Sequence, residues 1–168
     1  FEWHLESRWG MRIKQSSRSC MVAGGSQQVP SDPARWPLKQ TFLVLGHLLE
    51  ATGSIRPCWS RTRASMWRAF WSNPGSDAAK HLSVRRRLQL MERAVQPQLD
   101  LRCSRWPPQR QIAAEADNLQ QKMLSCMLRL PRLDGETPEA YVRRRGRIAR
   151  RHCHQQGSWS ARWFKRAI

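Results

Sequence analysis

Six apolar residues, Ile112, Ala116, Leu119, Met123, Met127 and Leu130, recur at intervals of three and four. That spacing lines one side of an α-helix and fits no strand. Pro131 reads as its stop. A second stripe of the same phase runs through Ile55, Trp59, Thr62, Met66 and Phe70 and is broken by Asn73-Pro74-Gly75-Ser76. A third, Val84, Leu88, Met91 and Val95, opens on Ser83 as N-cap and is kinked or ended by Pro97. Thr137 as N-cap with Pro138 at the first helical position opens a fourth helix, and Ser158 caps a last short turn carrying Trp159, Trp163 and Phe164. Helices patterned this way must bury their stripes against one another.

The chain before residue 55 reads differently. "WGMRIKQSSRSCMVA" (9–23) has the alternation and Ser-rich turn of a short hairpin, and Gly24, Gly25, Pro30, Pro33 and Pro37 then oppose regular structure. In "KQTFLVLGHLLEATGS" (39–54), the longest apolar run, Thr41 to Val44 favour a buried strand and Gly46 permits a tight bend. The fold class expected is α+β, with a small antiparallel β remnant at the N-terminus followed by a mainly α-helical bundle. Phe1 to Leu5 reads as the end of an amphipathic element, so the chain is expected to be a fragment.

Charge then narrows function. The 168 residues carry 30 Lys+Arg against 12 Asp+Glu, a net charge of +18, and only five of the basic residues are lysines. Such a chain repels itself unless a polyanion binds, and the guanidinium fork suits phosphate, so nucleic acid is the expected partner. Coding bias toward arginine is the competing account of the excess. The second stripe is flanked by Arg56 and Arg63 on one side and Arg61 and Arg68 on the other. The third begins with Arg85, Arg86 and Arg87, against the helix dipole, so these either stay solvated or meet phosphate. On the fourth helix Arg143, Arg144, Arg147, Arg150 and Arg151 share one broad side, opposite Tyr141, Val142, Ile148 and Ala149. The expected nucleic-acid contacts are Arg56, Arg61, Arg63, Arg68, Arg85, Arg86, Arg143, Arg147, Arg150 and Arg151. Among the aromatics able to stack on bases are Trp59, Trp67, Trp71, Trp106, Trp159 and Trp163, most of them expected in the core.

No catalytic residue and no metal ligand set is expected. His152, Cys153 and His154 are adjacent and so point apart on a helix, the other histidines are isolated, and no phosphate-binding glycine motif is present. The odd, scattered set Cys20, Cys58, Cys103, Cys126 and Cys153 suits reduced thiols in nucleus or cytoplasm. No apolar run approaches the roughly 20 residues that span a bilayer and the first thirty positions lack a signal-peptide core, so neither membrane insertion nor secretion is expected.

In order, these elements resemble the C-terminal part of a non-LTR (LINE-type) retrotransposon reverse transcriptase, downstream of its catalytic aspartates. "WGMRIKQSSRSCM" looks like the family's hairpin, with Ser17 and Arg18 where a lysine is usual. "FLVLGHLL" (42–49) looks like the strand that grips the primer end. "RTRASMWRAFW", "LSVRRRLQLMERAV" and "AEADNLQQKMLSCMLRLPR" resemble the thumb helices. The resemblance implies a palm remnant at 1–52, a thumb-like domain at 53–132 and a basic helical segment at 133–168, with Leu45, Gly46 and His47 as a primer-grip-like turn. It implies template and primer as ligands and the upstream palm and fingers as partner. Magnesium is expected only in a full-length polymerase, so the fragment would be catalytically incomplete. A stand-alone basic helical nucleic-acid-binding module, or an inert product that does not fold, are the rival readings.

Overall fold

The computed structural model describes residues 2–12, 14, 19–21, 37–44 and 47–166. The described chain is mostly helical with one two-stranded antiparallel sheet, an α+β arrangement. It divides into two compact units, Phe1–Cys58 and Trp59–Ile168.

The first unit holds α1 (Glu2–Trp9), β1 (Thr41–Val44), β2 (His47–Glu50) and the opening turn of α2 (Arg56–Ser72). Strands β1 and β2 pair from Thr41 opposite Glu50 to Val44 opposite His47. The apolar run is therefore two four-residue strands and not one. It is not a buried strand either: Thr41, Leu43 and Val44 are exposed, because two strands alone have no second layer to cover both faces. Cys20 makes an isolated parallel bridge with Leu38. Of the hairpin expected over 9–23, Trp9 closes α1 instead, while residues 13, 15–18, 22 and 23 lie outside the described residues. Leu45 and Gly46 also lie outside them, so of the primer-grip-like turn only His47, the first residue of β2, is placed.

The second unit is built on α5 (Arg110–Leu128). Ile112, Ala116, Met123, Leu124 and Met127 on it have no exposed surface, so each larger one contributes about 1.5–3 kcal/mol of burial. Against α5 pack α6 (Pro138–Gln156) and α7 (Trp159–Arg166). The expected α2 stripe is buried at Trp59, Thr62, Met66 and Phe70. Trp59 Nε1 donates to Glu115 Oε2 of α5 at 2.7 Å, and the Trp59, Trp106 and Trp163 rings meet edge to face at 6.5 and 6.0 Å. Residues 133–168, the basic helical segment, carry α6 and α7 and belong to the same unit as α5.

Polar groups fix the junctions. Gln120, buried on α5, accepts from Trp159 N and donates to Gly157 O, which holds the α6–α7 connection. Asp117 accepts from Ser160 N and Ser160 Oγ at 2.9 and 2.6 Å, supplying the first turn of α7 with an acceptor from another helix. Ser83 and Thr137 cap α3 (Val84–Leu90) and α6 as their sequence positions require, accepting from Arg86 N and Ala140 N.

Two boundaries differ from expectation. Pro97 does not end its helical run. A wide π-turn over Met91–Val95 separates α3 from α4 (Gln96–Cys103), which carries Pro97 in its first turn, where its missing N–H and its ring cost least. Helix α5 stops at Leu128, not Pro131, because Arg129 turns left-handed at φ 46° and its guanidinium reaches Gly75 O and Asp77. Gly75 closes α2 in a tight approach: a Cβ there would sit 2.5 Å from Cε1 of the buried Phe70. Gly75→Ala is expected to destabilise the helical unit by about 1–3 kcal/mol in chemical denaturation, through overpacking against Phe70.

Candidate nucleic-acid interface

Where the arginines go depends on which acceptors lie within reach. Four carbonyls at the end of any α-helix lack intrahelical partners, and at α5 two arginines take this role. The buried Arg87 donates to Met127 O, and Arg145 Nε donates to Ser125 O at 3.3 Å. Arg87, read from sequence as part of a basic first turn, is therefore a core residue, and Val84 and Leu88 beside it are only half-buried. Arg144 grips Glu136 through two N–H···O bonds of 2.8 Å and Pro131 O through a third. The Arg144 guanidinium hydrogen-bonded to Glu136, with the Leu133 N–H, holds the Glu136 carboxyl at about 2. Its other neighbour Tyr141 donates to Leu130 O, so the α5–α6 connection is tied down along its length.

The expected cations that remain outward are Arg61, Arg63, Arg68, Arg85, Arg86, Arg143, Arg147, Arg150 and Arg151, all exposed. Arg56 is exposed too, in the first unit. On α6, Arg143, Arg147, Arg150 and His154 follow one another at four, three and four residues, with Arg151 adjoining. Arg147, Arg150 and Arg151 have no salt bridge or hydrogen bond among the described residues, and Arg143 reaches only the Glu139 carbonyl of its own helix at 3.4 Å. The buried side of α6 is Ala149 and Cys153. Val142, expected inward, is 64% exposed, and Tyr141 and Ile148 are half-buried, because the start of α6 overhangs α5.

Between α2 and α6 the polar side of α5 is the floor of a groove. One section, of about 520 Å³, is walled by Ser60, Arg63, Ala64 and Trp67 over Glu115, Asn118 and Lys122. The next, about 530 Å³, shares Trp67, Asn118 and Lys122 and adds Gln121, Ser125, Val142, Arg145 and Gly146. A third section shares Gln121 and runs past Asp117 to Arg150, His154 and Cys153. Sequence reasoning placed Arg63 and Arg150 correctly on outward faces but missed Lys122 and Arg145. Lys122 stands alone on the polar side of a helix read for its apolar stripe, and Arg145 sits four residues before buried Ala149 with its guanidinium on α5. Arg61 and Arg68 lie on the other flank of α2, and Arg85 and Arg86 begin α3, so none of these four joins Arg63.

Of the aromatics expected to stack, Trp59, Trp106, Trp159 and Trp163 are core residues. Trp67 lines the groove, and Trp71, 53% exposed, stacks on it at 6.0 Å and 15°. Among the described residues no three His, Cys, Asp or Glu side chains gather as a metal site, and no helix is long and apolar enough to cross a membrane. Burial pushes the Cys103 and Cys153 thiols up to about 11, so neither is a thiolate at neutral pH. No disulfide joins the five cysteines.

Set against known proteins, the chain matches no family model, no curated protein and no solved structure.

The low carboxyl of Glu136 makes a pH prediction. Its ordinary value is 4.5 and its folded value about 2, so the pairing stabilises the fold above 4.5 and is lost as pH falls from there through about 2. Denaturation midpoints of the Glu136→Gln variant, measured across that window, are expected to fall less steeply with acid than those of the unaltered protein.

Proposed function

We propose that this protein binds double-stranded nucleic acid through the outer side of α6. In this reading it derives from the thumb-like portion of a retroelement RNA-directed DNA polymerase, where it would hold a hybrid of template and primer. The observation that carries the proposal is the contrast within one helix. Arg144 and Arg145 find acceptors in the fold, whereas Arg143, Arg147, Arg150 and Arg151 project from three turns with no carboxylate to meet. Guanidinium forks held on a rigid helix suit successive phosphates, and phosphate contacts set position without reading sequence. The retroelement reading draws on the paired strands β1 and β2 coming before the helices in chain order.

Catalysis is not part of the proposal. The magnesium ions of such a polymerase sit on paired aspartates, and among the described residues no three His, Cys, Asp or Glu side chains gather. Asp117 is bonded to Ser160, Glu136 to Arg144, and Asp77 to Lys80 at 2.6 Å. In this reading the chain's role is to bind and orient the nucleic acid.

Fluorescence anisotropy with a labelled RNA·DNA hybrid duplex tests the reading. If these four arginines meet phosphate, the logarithm of the affinity falls against that of salt with a slope near −3 to −4. Reversing Arg147 and Arg151 to Glu is expected to weaken binding and lower that slope by about 1 per residue. A hybrid that forms no saturable complex at modest ionic strength sinks the proposal. Primer extension by this chain alone is expected to give no product.

A further inference from the structure

The first two sections of the groove over α5 share no residue with the arginine row on the outer side of α6, and their chemistry suits a different form of the ligand. We infer that they form a track for an unpaired nucleic-acid strand, whose bases lie on Trp67 and whose phosphates meet Arg63 and Lys122. The inference deepens the nucleic-acid reading and rests on it.

Width comes first. Helices α2 and α6 both flank α5, each helix with its side chains is about 10–12 Å across, and packed helices lie 8–10 Å apart. A valley of this kind is narrow beside a duplex, and its first two sections, of about 520 and 530 Å³, suit a single strand. Length follows from the floor, which runs from Glu115 to Cys126. At 1.5 Å per residue that is about 16 Å, room for at most about five nucleotides, the number reached if they keep the 3.4 Å spacing of a stacked duplex.

The lining then fits both halves of a nucleotide. Arg63 and Lys122 have no salt bridge or hydrogen bond among the described residues, and Arg145 adds a third positive charge. Both carboxylates on the walls already accept hydrogen bonds: Glu115 from Trp59 Nε1 and Asp117 from Ser160. Trp67 belongs to the first two sections, with Phe70 edge-on at 5.5 Å and Trp71 stacked behind it, so the indole is fixed in place before any ligand arrives. A preset aromatic face between cations is the arrangement that holds single strands without sequence preference, because every base has a π-face. Asn118 and Gln121 on the floor offer hydrogen bonds to base edges.

The test measures anisotropy of labelled single-stranded oligonucleotides of three, five and eight residues, and of an eight-residue strand without bases, against the full chain. Affinity is expected to rise up to about five nucleotides. Trp67→Leu, which keeps apolar bulk, is expected to weaken the base-bearing strand about tenfold and to leave the baseless strand nearly unchanged. Arg63→Glu and Lys122→Glu are expected to weaken both strands, and their exposed positions keep the fold intact if Trp67→Leu melts early. Single strands that fail to bind, or that bind the Arg63→Glu and Lys122→Glu variants as well as the unaltered protein, overturn the inference. Hybrid-duplex binding that persists in that case leaves the α6 proposal standing, whereas loss of both ligands removes both.

Discussion

The buried side of α5 is the surface on which the helical unit depends. Its apolar stripe would hold α6, α7 and α2 by area alone, but area is indifferent to sliding. Gln120 removes that freedom. A buried amide costs free energy unless both its ends are bonded, and only one placement of the α6–α7 connection brings Gly157 O and Trp159 N to it together. Asp117, one turn earlier, then meets the first turn of α7. The positions of Trp163 and of the aromatic chain through Trp106 to Trp59 follow from that register.

The excess of positive charge is resolved by dividing the arginines into two populations. One is consumed inside the fold: Arg87 and Arg145 on the open carbonyls of α5, Arg144 on Glu136, Arg129 on Gly75, and Arg166 on Asp100 at 2.9 Å. These do for helix ends and connections what glycine caps and acidic partners do in less basic proteins. The second population, on α6 and along the α5 groove, stays outside with few acceptors. In the absence of a ligand it contributes only repulsion, and that is the physical ground for looking to a polyanion.

Several features were legible from residue order because they are local. The phases of α2 and α5, the caps at Ser83 and Thr137 and the break at Asn73 to Ser76 depend on neighbours within a turn or two. The strand run at 41–50 was legible as β but not as two exposed strands, since exposure depends on a covering layer that no local pattern reveals. Tryptophan was the least legible residue. Trp59 and Trp67 sit eight residues apart on the same helix, yet the first is almost wholly buried and the second only half-buried. Likewise Arg85, Arg86 and Arg87 are consecutive, and only the third points at the end of α5.

The sequence by itself determined where helices begin, which side of most of them is apolar, and that the whole carries a large excess of positive charge. These are properties of spacing and composition, and they hold in any packing. Only the tertiary structure decided which guanidiniums are used up within the fold, how a π-turn accommodates Pro97, and that α2 and α6 leave a cationic channel over α5. The reason is reach. An arginine head lies several bonds from its backbone, so its partner is whatever the folded chain brings near, and periodicity along one helix contains no record of that.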